Sequence, residues 1–167
     1  MFRKTAIALT FLLLFSALPN RLNAEQTTNA ATSKADATSA EAAKSQELVK
    51  HLDDTNFEKT VKESKVPVLV DFYASWCEPC RRMSPRLEEL AKEYEGRLLV
   101  VKVDVDFCPK LKSKYGITRL PTLYLLKPGG ATQKSSTGER TLDGLRDFVK
   151  DAVKEADKQS KQQGNKQ

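Results

Sequence analysis

Residues 66–80 read VPVLVDFYASWCEPC, in which a nearly continuous run of β-branched and aromatic side chains leads directly into two cysteines. Such a run is typical of a strand that is buried on both faces of a sheet. The next residues predict a helix over 77–95, because apolar side chains recur there at helical spacing: Met83, Leu87, Leu90, Ala91 and Tyr94. Pro85 predicts a kink rather than an end, since the stripe continues beyond it. The deciding segment is therefore a buried strand that turns into a helix at the cysteines.

Strand and helix patterns alternate on both sides of this segment. Further strands are predicted over residues 47–52, 98–105, 122–127 and 132–138, and further helices over 56–64, 109–115 and from Leu142 onward. Residues 127–130 read KPGG, a turn sequence, so the last two strands are expected to form a hairpin. The order β-α-β-α-β-α-β-β-α predicts an α/β fold with a central mixed β-sheet flanked by helices on both faces.

Cys77 and Cys80 form a C-x-x-C pair at the start of the predicted helix. This spacing places both sulfurs on the first helical turn, close enough to oxidise to a small-ring disulfide. Free backbone N–H groups and the helix dipole favour a thiolate at Cys77, whereas Cys80 lies one turn further in and is more shielded. Pro79 stiffens the turn without the loss of a hydrogen bond. The pattern predicts an exposed attacking thiol at Cys77 and a resolving thiol at Cys80.

Three stretches of the chain resemble the thioredoxin family: VLVDFYASWCEPCRRMSPRLEELAKEYEG at 68–96, KVDVD at 102–106 and KYGITRLPTLYLLKPGG at 114–130. The resemblance covers roughly residues 48–153 and implies the thioredoxin fold. It also implies a thiol–disulfide oxidoreductase that acts on disulfide-containing proteins and needs no metal or other cofactor. Position by position, it supports Cys77 as the attacking thiol and Cys80 as the resolving one.

The resemblance also implies roles for the residues around the pair. Asp71 matches a buried carboxylate beneath the site, and Lys102 matches a lysine near that carboxylate. The substrate-binding residues are implied to be Trp76 and a cis-proline loop whose backbone pairs with the extended substrate: Leu120, Pro121 and Thr122. Asp71 has independent support, because an acid in a buried run must either have a raised pKa or point to an edge. From beneath the helix start it can relay a proton to or from Cys80.

Each of these assignments has an alternative. The cysteine pair is also compatible with a structural disulfide, or with a zinc site that Cys108 and His51 would complete. Asp71 is alternatively a solvent-facing acid on a strand, and Pro121 an edge-strand proline with a trans bond. A structural disulfide leaves Trp76 and Pro121 unexplained, and a zinc site would have only one C-x-x-C and one histidine.

Two residues depart from the thioredoxin pattern. Glu78 stands where the family usually has glycine, and a carboxylate beside Cys77 opposes thiolate formation and makes the pair more reducing. The dipeptide Glu78-Pro79 resembles that of exported thiol reductases that serve cytochrome c maturation, which usually carry an insertion that this chain lacks. Cys108 is an odd thiol before Pro109, and we favour a packing role over a redox role for it.

Residues 1–24 predict an export signal. A basic start at residues 1–4 precedes an apolar run at 5–18, and Ala24 is a small residue before a cut that would leave Glu25 as the first residue. The alternative is an uncleaved membrane anchor, for which the run is short, since a span needs about 20 apolar residues. We therefore expect an extracytoplasmic location such as the periplasm, where disulfides persist.

Composition predicts one domain between two polar segments. Residues 25–46 contain no aromatic or branched aliphatic side chain, so we expect a flexible linker there, and the Lys/Gln-rich residues 158–167 predict a disordered tail. The domain itself is expected over 47–157. The chain of 167 residues has a formal net charge of +6 that lies mostly in its ends, so the domain is too balanced to predict a nucleic-acid surface.

The sequence as a whole predicts an exported thioredoxin-like protein-disulfide reductase, which we expect to be a monomer. Glu78, Pro79 and Lys102 are expected to tune the cysteine pair. An exported reductant must be recharged, so the expected partner is a membrane protein that passes electrons outward. The alternatives are a disulfide oxidase or isomerase, and a non-enzymatic thioredoxin-fold module whose disulfide only shapes a docking surface.

Overall fold

The computed structural model describes residues 48–164. The predicted export signal over 1–24, the predicted linker over 25–46 and the last three residues, 165–167, lie outside the described residues. Within the described part, none of the helices is both long enough and apolar enough to cross a membrane.

The described residues form five strands and four helices in the predicted order. In chain order these are β1 Val49–His51, α1 Phe57–Glu63, β2 Val68–Tyr73, α2 Glu78–Glu93, β3 Leu99–Asp104, α3 Pro109–Lys114, β4 Thr122–Leu126, β5 Thr132–Thr137 and α4 Leu142–Gly164. Most boundaries lie within two residues of the predicted ones. The helix α2 continues past Pro85, as predicted, and begins at Glu78 because Cys77 is its N-cap in extended conformation.

The strands form one mixed sheet in the order β1-β3-β2-β4-β5. β1 and β2 both run parallel to β3, while β4 is antiparallel to β2 and β5 is antiparallel to β4. β2 is therefore an inner strand with a hydrogen-bonded neighbour on each edge. In this register Asp71 lies opposite Lys102 on β3 and Leu123 on β4.

Each face of the sheet is covered by two helices, which confirms the predicted layers. Phe72 and its even-numbered neighbours on β2 pack against α1 and α3, whose buried side chains include Phe57 and Leu111. Leu69 on the opposite face packs against α2 and α4 through residues such as Leu87 and Phe148. Because successive strand residues point to opposite faces, burial on both faces explains why the β2 sequence is almost entirely apolar.

The C-terminal helix differs from the prediction. α4 extends to Gly164, so the described part of residues 158–167 is helical rather than disordered. Lysine and glutamine are good helix formers, and they extend a helix whose earlier turns are already held by packing. The Ser160 hydroxyl, which donates to the Ala156 carbonyl at 2.9 Å, follows the helical i to i−4 spacing.

Candidate active site

The loop that ends β2 places the cysteine pair at the start of α2. The Cys77 backbone N–H donates to the Ala74 carbonyl at 3.1 Å, which closes the turn between strand and helix. The Cys77 sulfur in turn accepts from the Cys80 backbone N–H at 3.3 Å and so caps the first helical turn. Pro79 occupies that turn, where its missing N–H costs no helical hydrogen bond. A sulfur thus takes the place that a serine or aspartate oxygen usually has at a helix start.

Cys77 and Cys80 are joined by a disulfide across Cα atoms 5.3 Å apart, which confirms the predicted pairing. Cys77 is only 4% exposed and Cys80 1%, so the predicted exposure of Cys77 is wrong for this disulfide-bonded form. The disulfide and the cap turn Cys77 inward along the helix start. The two sulfurs remain distinct, because Cys77 lines a surface groove and Cys80 does not.

This groove, which we call the active-site groove, has a volume of about 280 Å³ and opens beside Cys77. Its walls are apolar side chains from three loops: Trp76, Val105, Ile117 and Leu120. Charged residues also line it, namely Glu78, Lys112 and Arg119. The Leu120–Pro121 peptide bond is cis, as predicted. The groove therefore brings the reactive sulfur and the cis-proline loop onto one surface.

The predicted substrate-binding residues divide into two groups. Trp76 and Leu120 line the groove, whereas Pro121 and Thr122 are buried behind it. The Thr122 hydroxyl donates to the Arg119 carbonyl at 2.7 Å, so this side chain shapes the loop from within. Trp76 is 68% exposed, and its indole N–H donates to the Asp106 carboxylate at 2.8 Å. A contact from a neighbouring loop thus fixes the exposed tryptophan.

Asp71 lies on β2, the strand that leads into the cysteine pair, and is completely buried. Neither of its carboxylate oxygens has a hydrogen-bond partner among the described residues. Burial raises the pKa of Asp71 to about 7, and the positive charge of Lys102 offsets only part of that effect. The alternative of a solvent-facing strand acid is wrong. A carboxyl that titrates near neutral pH can accept or donate a proton under working conditions.

Lys102 is near Asp71, as implied, but its ammonium group is bonded elsewhere. The Lys102 Nζ donates to the Ser84 hydroxyl at 2.5 Å and lies 4.4 Å from the centre of the Tyr73 ring. The Ser84 hydroxyl donates in turn to the Cys80 carbonyl at 3.3 Å. Sequence reasoning missed Ser84, although its position four residues after Cys80 on a helix is a signal that could have identified it.

Glu78 is exposed and its carboxylate is shared by two arginines. Arg81 forms an ion pair with it, and the Arg82 guanidinium lies 3.7 Å from it. The negative charge that was expected to oppose thiolate formation at Cys77 is thus partly neutralised on its own helix. Because Glu78 is exposed, water and salt screen its charge, which weakens its effect on the Cys77 thiolate further.

Cys108 and His51 do not join the cysteine pair, so the zinc alternative has no geometric support. Cys108 is a buried free thiol whose Sγ lies 3.9 Å from the Leu52 carbonyl, and burial raises its pKa, with Asp54 adding to the effect. His51 is exposed, with its Nδ1 3.4 Å from the Tyr73 hydroxyl. Over residues 48–164, no group of three or more His, Cys, Asp or Glu side chains is arranged to hold a metal ion.

Comparison with known proteins is consistent with this geometry. The thioredoxin family model matches residues 48–151. Thioredoxin 1 of Nostoc sp. is 50% identical over 76 residues, which are 46% of this chain and 71% of the relative. The thioredoxin of Rickettsia felis is 37% identical over 102 residues, which are 61% of this chain and 96% of the relative. The thioredoxin of Pyropia yezoensis is 42% identical over 95 residues, 53% of this chain and 89% of the relative.

The raised pKa of Asp71 predicts a pH-dependent stability. Because the folded protein keeps this proton up to about pH 7 while the unfolded chain releases it near pH 3.8, stability is lost as pH rises through that window. Asp71→Asn has no such proton, so its free energy of unfolding should not fall in this way. Relative to the wild type, the oxidised variant should gain little stability near pH 3.8 and a few kcal/mol above pH 7. Urea unfolding across this range measures the difference.

The control for this prediction is Asp151→Asn, because Asp151 is exposed on α4. Its stability difference from the wild type should stay flat with pH. A flat difference for Asp71→Asn as well would contradict the buried, proton-binding carboxyl.

Proposed function

The chain belongs to the thioredoxin family, and from this premise we propose that it is an exported reductase of protein disulfides. Its Cys77–Cys80 pair makes it a thiol–disulfide oxidoreductase. What the proposal adds is the direction of electron flow, the location and the roles of single residues.

In the proposed reaction the Cys77 thiolate attacks one sulfur of a substrate disulfide that lies in the active-site groove. That S–S bond breaks, the other substrate sulfur leaves as a thiolate, and a mixed disulfide forms on Cys77. Cys80 passes its proton to the Asp71 carboxylate and attacks the Cys77 sulfur. The second substrate thiol is released and the Cys77–Cys80 disulfide forms, so two electrons have moved from the protein to the substrate.

The observation that carries this proposal is the buried, unpartnered Asp71 carboxyl on the strand that leads into the disulfide. A buried ionisable group without partners destabilises a fold, and an apolar side chain of similar size would stabilise it. A module whose disulfide only shapes a surface has no use for such a group. A resolving thiol does, because its attack requires the loss of a proton. The buried acid therefore favours an enzyme over a binding module.

The proposed location rests on the first 24 residues, whose basic start, apolar run and Ala24 are typical of an export signal. An oxidising compartment supplies no thiol pool to recharge the pair. The proposed partner is therefore a membrane protein that passes electrons outward to the Cys77–Cys80 disulfide.

The second candidate is a disulfide oxidase or isomerase. It is favoured by the ion pairs of Glu78 with Arg81 and Arg82, which neutralise part of the charge that would make the pair reducing. The same two arginines stabilise negative charge near Cys77. The measured reduction potential of the Cys77–Cys80 couple separates the candidates, since a reductase has the more negative value.

Substitution of each cysteine should give a different result. Cys77→Ser should abolish the reduction of a protein disulfide, because it removes the sulfur at the groove. Cys80→Ser should retain the attack and accumulate a mixed disulfide, because the resolving thiol is missing. Mass spectrometry after reaction with an oxidised protein substrate measures both effects. Cys108→Ala is the control and should behave as the wild type, and equal activity in Cys77→Ser would exclude the proposed enzyme.

Loss of the Glu78 charge should make Cys77 easier to ionise. Glu78→Gln removes one negative charge and leaves Arg81 without its acidic partner, while Arg82 keeps its ion pair with Glu139, so both changes favour the thiolate. We expect a higher thiolate fraction at neutral pH and a less negative reduction potential, as thiolate absorbance and redox titration report. Glu95→Gln, at an exposed position after α2, is the control. Identical titrations of both variants would show that the arginines already cancel the charge of Glu78.

A further inference from the structure

The active-site groove carries positive charge that the protein itself does not neutralise. Lys112 and Arg119 are exposed and line the groove, and neither forms an ion pair with any residue of the described range 48–164. Many other exposed cations are paired, such as Lys114 with Glu58 and Arg146 with Glu93. A cation without a partner beside an apolar wall is available to a ligand.

The acidic groups at the groove do not reverse this balance. Glu78 is shared by Arg81 and Arg82, so that cluster is not a net negative charge. The Asp106 carboxylate accepts a hydrogen bond from the Trp76 indole at 2.8 Å and counts as one formal negative charge beside the groove. When Glu139, which pairs with Arg82, is counted with these residues and with Lys112 and Arg119, the formal balance is one positive charge.

A second large apolar side chain is exposed two residues after the groove residue Val105. Phe107 is 80% exposed, and with Trp76 it is one of the two large hydrophobic side chains exposed in the described part of the chain. It directly follows Asp106, whose carboxylate holds Trp76. Exposed aromatic side chains beside a polar contact are typical of a surface that binds another protein chain.

We propose that the groove prefers disulfides in extended peptide segments whose half-cystine has an acidic residue and a large apolar residue as neighbours. The acidic residue would pair with Lys112 or Arg119, and the apolar residue would cover Trp76 and Phe107. This inference rests on the proposed function, because it names the substrate class of the same site. Charge complementarity at a rim raises association rates more than it raises affinity, and added salt weakens it.

The test uses two cyclic peptides, each closed by one disulfide and identical except that glutamates beside the half-cystines in one are lysines in the other. The reduced full chain should reduce the glutamate peptide roughly three- to tenfold faster at low salt, and the preference should shrink at high salt. Lys112→Gln and Arg119→Gln should each lower the preference, and the double variant should abolish it. Lys59→Gln is the matched control, because Lys59 is exposed on α1 and does not line the groove.

Phe107→Ser should slow reduction of both peptides by a similar factor, since it removes apolar contact without a change of charge. Reduction of 2-hydroxyethyl disulfide, which is small and uncharged, separates this inference from the proposed function. If the wild type reduces that compound but treats the two peptides equally, the charge preference is wrong and the reductase stands. If it reduces no disulfide at all, the proposed function fails first.

A second inference concerns the buried polar cluster and is independent of the groove. Lys102 lies opposite Asp71 in the parallel register, yet its ammonium donates to Ser84 at 2.5 Å and stacks over the Tyr73 ring. We infer that Ser84 is a positioning residue that keeps the Lys102 charge away from the Asp71 carboxyl. The Ser84 hydroxyl donates to the Cys80 carbonyl at 3.3 Å, which leaves its lone pairs toward the ammonium.

The surroundings of Asp71 make Lys102 the charge that decides its protonation. β4 places the apolar Leu123 opposite it, and Tyr73 follows two residues later on its own strand. From α2, Ser84 reaches the Lys102 ammonium. His51 on β1 lies opposite Lys102 in the strand register and is therefore one strand further from Asp71 than Lys102 is. Without the Ser84 oxygen, the Asp71 carboxylate is the one buried side-chain acceptor in the described range that has no partner and could take the Lys102 ammonium.

Ser84→Ala should therefore lower the midpoint of the Asp71 titration by about one unit, as an opposite charge at close range does. Carbon-detected NMR of the Asp71 carboxyl against pH measures this directly and does not depend on activity. Ser84→Thr keeps the hydroxyl and should keep the wild-type midpoint, and Ser84→Ala combined with Lys102→Gln should not show the lowered midpoint. A folded Ser84→Ala protein with an unchanged midpoint would overturn the positioning role.

Discussion

β2 is paired on both edges and covered by helices on both faces, so a polar side chain in its middle has no path to water. Asp71 occupies that position, and its carboxyl lacks a hydrogen-bond partner among the described residues. The burial that makes β2 the centre of the fold is thus the same burial that keeps this acid protonated up to about neutral pH. The unpartnered carboxyl of Asp71 lowers the stability of the fold, and it supplies a buried proton acceptor on the strand that leads into the disulfide.

The position of Lys102 determines whether that acceptor is usable. An ammonium hydrogen-bonded to Asp71 would hold the carboxyl ionised well below neutral pH, where it could no longer exchange a proton with Cys80 in a useful range. In the structure Lys102 is close enough to lower the pKa of Asp71 in part, while Ser84 and Tyr73 hold its ammonium. The Ser84 hydroxyl also donates a hydrogen bond to the Cys80 carbonyl, so the position of the Lys102 ammonium is linked to the helical turn that carries the resolving cysteine.

Local sequence patterns were sufficient to predict the strands and helices. The continuous apolar run of β2 and the helical spacing of apolar residues after it each show directly which side chains are buried. The cysteine pair could be predicted from its C-x-x-C spacing, and Asp71 could be predicted because an acid stands within an otherwise apolar strand. The groove could not be predicted, since Trp76, Val105 and Leu120 come from three separate loops that only the fold brings together. The burial of Cys77 was missed because sequence shows its place at a helix start but not its inward turn.

Two kinds of electrostatic interaction act around the cysteine pair, and they differ in range. Asp71 is buried and Lys102 partly buried, so salt screens their interaction little, and in the proposed reaction they act on the proton of the resolving step. Lys112 and Arg119 are exposed, so their charges would attract an approaching substrate chain, and added salt would screen that attraction. Glu78 lies between the two classes, since it is beside Cys77 but already shared by two arginines. In the proposed mechanism, the chemistry of the pair and its preference among substrates therefore rest on different residues, and substitution should change each without the other.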